Sequence, residues 1–210
     1  MSSFFSDAGP NRPWPLRGGG SYTALGQGNA WSSGMAANAV LLAYRWANPD
    51  YDLVLWGIGI QIPCAVAFTA NQLAGISAYK ASNFTTMYTG GTDISSGFGV
   101  ARDSNMPTIS YFNGLSIRMA SAGTTGLTAP TPAPTLSNLF FAEATGTGTT
   151  VGIPKPGSYR SFINNPIVLH KDEGGVVTLA SALSGSGAIA PQFVLDFDIV
   201  PTSVTSHIYS

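Results

Sequence analysis

The chain has 210 residues, of which 9% are charged and 44% hydrophobic, with 9 Lys+Arg against 10 Asp+Glu. The resulting net charge of −1 excludes the basic footprint of a nucleic-acid binder and a polybasic membrane anchor, and the apolar content excludes disorder of the whole chain. A chain of this length buries about 70% of its unfolded surface on folding, so one domain with a real core is expected.

Residues 1–33 carry Pro10, Pro13, Pro15 and the run Gly18-Gly19-Gly20, without helical or alternating period. They read as an extended N-terminal arm. Phe4, Phe5, Trp14, Tyr22 and Trp31 are too many aromatics for a plain linker, so the arm is expected to dock on a partner, with Arg12 and Arg17 as its charged contacts. Lacking a basic n-region, the first residues do not read as a secretory signal, and synthesis in the cytoplasm is expected.

The body is expected to span 34–210. Ala37–Trp46 reads as a strand, with a short helix as the rival, and Asn48-Pro49-Asp50 as a turn. From Asp52 to Ile62 the pattern has period two, with Val54, Trp56, Ile58, Ile60 and Ile62 assigned to one face. Cys64, the single cysteine, sits in an apolar run and reads as a small buried hydrophobe. Thr69–Leu73 is read as one helical turn, Ile76–Ala81 as a strand and Thr89-Gly-Gly-Thr92 as a turn. Leu115–Met119 is a strand. Pro130, Pro132 and Pro134 make 127–136 an extended loop, and Leu139–Glu143 is a strand followed by a Gly/Thr-rich loop at 145–152. Strands at 167–170, 176–180 and 192–200 complete the chain. In the last, Phe193, Leu195, Phe197 and Ile199 are assigned to the core and Asp196 and Asp198 to solvent. Eight or so short strands with Gly/Pro turns predict an all-β fold, an antiparallel β-sandwich of jelly-roll-like type.

No motif announces catalysis. Ser77-Ala-Tyr-Lys80 has S-x-x-K spacing, but acyl-transfer chemistry needs both side chains on one helix face, and a strand sends them to opposite faces. His170 in His-Lys-Asp-Glu-Gly-Gly175 adjoins two carboxylates, yet a His-based site needs distant partners that the sequence does not identify; the segment reads as a hairpin turn. Asp196 and Asp198, about 6–7 Å apart along a strand, have the spacing of paired glycosidase carboxylates and equally that of a solvent face. Gly97–Arg102 and Gly146–Thr150 lack the Gly-Lys-Ser/Thr ending of a phosphate loop. Asn83-Phe-Thr85 matches a glycosylation sequon by letters only. The chain is therefore expected to be no enzyme and to use no cofactor or metal.

Three stretches carry a family resemblance: Ala67–Phe84 running into Thr89-Gly-Gly-Thr92, Asn165–Gly175 with its Asp-Glu-Gly-Gly turn, and the strand 192–200. They resemble a loosely defined group of β-rich proteins encoded near structural genes of tailed bacteriophages. The resemblance implies a virion structural protein, a capsid cement or decoration protein whose partners are the major capsid protein and other virion subunits. Three lysines and a surface of Ser, Thr, Asn and Gly suit a face covered by neighbours, and a dimer or trimer is expected. On this reading, deleting residues 1–30 leaves the body folded and weakens attachment. The alternative is a tail- or fibre-associated protein that recognises host carbohydrate by stacking on Trp14, Trp31, Trp46 or Trp56.

Overall fold

A computed structural model describes residues 20–27, 30–32, 34–61, 64–69, 72–95, 100–101, 113–121, 125–146, 158–162, 165–183 and 186–208. The described residues are all-β apart from one short helix after the last strand. The front sheet is built from β3 (Val40–Trp46), β6 (Gln72–Ser82), β7 (Thr92–Asp93), β9 (Leu115–Met119), β10 (Thr135–Gly146) and β13 (Glu173–Leu179). Their order is β10-β6-β13-β3-β9-β7. The back sheet holds β1 (Gly20–Gln27), β4 (Tyr51–Gln61), β8 (Val100–Ala101), β11 (Ser158–Ser161), β12 (Ile167–Leu169) and β15 (Gln192–Pro201). Here β11 and β12 share one edge of β4, and the order continues β4-β15-β1-β8. A small third sheet joins β2 (Trp31–Ser32), β14 (Ala188–Ile189) and β5 (Cys64–Val66). All recorded pairings are antiparallel.

The core lies between the two large sheets, as alternation dictates. Leu42, Tyr44, Trp46, Ile76, Ala78, Ile117, Val177 and Leu179 of the front sheet meet Tyr22, Leu53, Leu55, Ile58, Ile60, Phe193, Leu195, Phe197 and Ile199 of the back sheet. The inward assignment of Phe193, Leu195, Phe197 and Ile199 holds. That of β4 holds for only half the strand. Asp196 faces Gly57 while Phe197 faces Leu55, so Trp56 is an extra residue in the ladder. A bulge of this kind reverses the side-chain phase. Leu53 and Leu55 point inward before it, Ile58 and Ile60 after it. Val54 and Trp56 go to the outer face with Val200, Val168 and Val204.

Two further expectations are corrected. Gln72 and Leu73 belong to strand β6, not to a helical turn. The body also starts before residue 34: β1 pairs with β15 over eight residues, from Gly20 opposite Ile199 to Gln27 opposite Gln192. Tyr22 stacks on Phe197 with ring centroids 5.7 Å apart. A deletion through residue 30 removes that strand from the sheet, so a test of the arm alone must stop at residue 19.

Buried phenols give the fold a pH limit. Burial pushes the Tyr22 hydroxyl up to about 12 from 10.0, and it raises Tyr44 and Tyr88 in the same direction. In the unfolded chain these groups ionise first, so the unfolded state binds fewer protons above pH 10. Stability is therefore fully present below about pH 10 and falls as pH rises toward about 12. Melting temperatures across that window should drop steadily, and the part of the tyrosinate absorbance due to these three side chains should appear only with unfolding.

Candidate functional site

Most of the charged groups with described side chains gather where the chain passes from β12 to β13. The turn His170–Asp172 does not close a hairpin, as the sequence reading has it. β12 belongs to the back sheet and β13 to the front one, so the turn is a corner between the two. Asp172 takes a left-handed φ of 62°, which an Asp tolerates better than most residues. The Glu173 amide donates to the His170 carbonyl at 3.0 Å, and the Glu173 carboxylate accepts the His170 amide at 2.9 Å.

The corner is tied on both sides. The Arg45 guanidinium on β3 holds the Asp172 carboxylate and the Phe84 carbonyl. The Lys80 ammonium on β6 sits 3.0 Å from Glu173 and donates at 3.1 Å to the Val168 carbonyl of the opposite sheet. One cation thus bridges both layers at their rim. Arg118 on β9 lies 3.7 Å from Asp93 and donates to the Gly90 carbonyl at 2.9 Å. Hydrogen bonds from the Ser95 hydroxyl and amide, together with Arg118, hold Asp93 below its usual value.

The distant partner that His170 needs is Asp52. Its Nδ1 lies 3.0 Å from Asp52 Oδ1, with the imidazole 59% exposed and the carboxylate 2% exposed. Asp52 is on the outer face of β4, covered by helix α1 (Thr202–Ile208). Thr205 donates to its other oxygen and Thr202 reaches it at 3.4 Å. Asp198, assigned to solvent from sequence, is also buried at 1% exposure, opposite Val54 in the ladder with β4. Asp196, two residues before it, is half-buried and accepts from Thr23 Oγ1 at 2.7 Å. A buried carboxylate behind an exposed imidazole fixes the ring and leaves Nε2 facing out. Among the described residues, no three His, Cys, Asp or Glu side chains form a metal-binding group. The arrangement fastens α1 over Val54, Val200 and Val168 through Val204. Asp52→Ala removes the acceptor shared by Thr205, Thr202 and His170. It should lower stability by about 2 kcal/mol and speed amide exchange across 202–208 well before global unfolding.

The S-x-x-K spacing is not assembled. Ser77 and Lys80 lie in an unbroken stretch of β6, opposite Thr178 and Gly175, on opposite faces. Of the residues proposed to meet a partner, Phe4, Phe5, Arg12, Trp14 and Arg17 lie outside the described residues. Tyr22 and Trp31 are corrected: both are 0% exposed, and neither has surface to offer a partner. Trp31 donates Nε1–H to the Ala120 carbonyl at 3.3 Å and packs on Phe193. Trp46 and Trp56 are buried as well, so the described tryptophans provide no stacking face for sugar. Comparison with known protein families, curated proteins and solved structures finds no match.

Proposed function

We propose that this chain is a structural virion protein, a jelly-roll-like capsid cement or decoration subunit of a tailed bacteriophage that attaches to the major capsid protein and acts as a homo-oligomer. The observation that carries this reading is how its cations are used. Of the four described Lys and Arg side chains, Arg45, Lys80 and Arg118 each face a carboxylate of their own chain, leaving Lys171 exposed at the corner. A surface so poor in free charge suits contacts made by apolar burial and hydrogen bonds, multiplied over many copies on a lattice. The resembling stretches support it in a second way. They fall on β6, β12, β13 and β15, which form the centre of the front sheet and span the back one, so the likeness concerns the framework. The carbohydrate-binding alternative loses three of its four candidate tryptophans to burial.

The test is co-sedimentation of labelled protein with purified empty capsids and, separately, with host cells across a salt series. Binding to capsids that persists in about 1 M NaCl, where the Debye length is near 3 Å, is expected. Binding to cells alone, or to neither, overturns the reading. Removal of residues 1–19 should weaken capsid binding without changing the melting temperature if the arm is a contact.

A further inference from the structure

We infer that β10 is a self-pairing edge and that two copies of this chain join through it, about a twofold axis, into one sheet continued across both subunits. The inference deepens the homo-oligomer part of the reading above and does not depend on the capsid part. Its starting point is an inequality among the sheet ends. Among the described residues, the other terminal strands, β7, β8, β11, β12, β2 and β5, have two to four residues each. Short edges of that kind offer too little ladder to template a partner. β10 has twelve residues. It pairs with β6 from Thr135 opposite Ser82 to Gly146 opposite Gln72, and among the described strands it ends the front sheet.

The usual guards against edge pairing are Lys, Pro and inward charge. Thr135–Gly146 contains no Lys, Arg or Pro, and Glu143 is its one charged residue. A bulge at Leu139, between the Asn138 and Phe140 pairings, is the only irregularity. Thr135, Leu136, Ser137 and Asn138 are exposed at this end of the strand, and Leu136, 40% exposed, is one of two exposed large hydrophobics among the described residues. A second copy is the occupant that this composition favours. An antiparallel strand pair with itself is isologous, so one surface serves both sides. With a single acid per strand, every register except the one centred on Glu143 keeps like charges from meeting. The register centred near Leu139 and Phe140 instead sets Glu143 of each strand against the Leu136 region of the other.

Sedimentation velocity and light scattering on the full chain test this. A particle of twice 21.7 kDa is expected. Leu136→Glu, which sets an acid against Glu143 of the other copy at both ends of the pairing, should raise its dissociation constant at least roughly tenfold. Combining Leu136→Glu with Glu143→Lys in the same chain should restore the dimer, while Thr92→Lys on the opposite edge should change nothing. Circular dichroism reports whether the variants are folded. Amide exchange of 135–146 in the unmodified chain, slower at high than at low concentration, gives the same answer without a variant. A monomer at roughly 100 µM, a trimer, or a dimer broken by Thr92→Lys and not by the β10 variants overturns the inference. A monomer that still binds capsids overturns the edge pairing alone. A β10 dimer that ignores capsids overturns the virion reading alone.

Discussion

Replacing Gly174 by Ala should cost the fold about 3 kcal/mol or prevent it from forming. Gly174 is paired with Arg45, and β3 lies so close that an added Cβ would land on the Tyr44 carbonyl oxygen, with the Arg45 Cα 2.9 Å away. These are backbone atoms in the middle of a sheet and have no rotamer by which to move aside. Overpacking of a buried site costs roughly 1–3 kcal/mol and more where the backbone must shift. At the neighbouring Gly175 a Cβ would meet the Tyr44 ring, so the pair Gly174-Gly175 is what lets β13 slot between β3 and β6. Urea unfolding of Gly174→Ala, with Gly90→Ala as comparison, separates the two causes. Gly90 has a φ of +76° but open space around its missing Cβ, so its substitution costs only local strain.

Trp31→Ala should destabilise by roughly 3–5 kcal/mol, the range for emptying a large buried aromatic site. The indole is fully buried among core residues, its N–H is satisfied by Ala120, and its ring lies 6.4 Å from that of Phe193. The size of the effect decides between two roles. A tryptophan kept for a partner would leave the melting temperature of the isolated chain unchanged. One built into the small third sheet, where Trp31 pairs with Ile189, must lower it by many degrees.

The strands were legible where alternation is local. Leu115–Met119 and the final strand are where period two puts them. What alternation could not show was a change of phase. The bulge at Trp56 depends on the neighbouring strand, since it exists only as a mismatch between Gly57 and Leu55 against Asp196 and Phe197. The early strand β1 was hidden for a related reason. Gly20-Ser-Tyr-Thr-Ala-Leu-Gly-Gln27 has weak strand composition and follows a Pro/Gly run. Its conformation comes from a ladder with residues 192–199 rather than from intrinsic preference. The candidate site was legible in part. His170 stood out as a histidine among acids, but Asp52 lies far from it in sequence and reads like an ordinary strand start. The cover over Asp52 comes from α1, a seven-residue helix of Thr, Ser, Val, His and Ile with no amphipathic stripe long enough to announce it.

The pairing of the first described strand with the last has a consequence in time. β1 lies between β15 and β8 in the back sheet, and β15 itself separates it from β4. Before residues 192–201 are made, residues 20–27 have only the two-residue β8 to pair with, and β4 lacks its principal neighbour. The back sheet closes only when the segment 192–201 has left the exit tunnel. Contacts this distant along the chain close slowly. A nascent chain halted before residue 192 would therefore hold an unfinished layer with its apolar side uncovered, open to chaperones and proteases. Emergence of residues 192–201 is thereby the event that commits the two-sheet body to its native form.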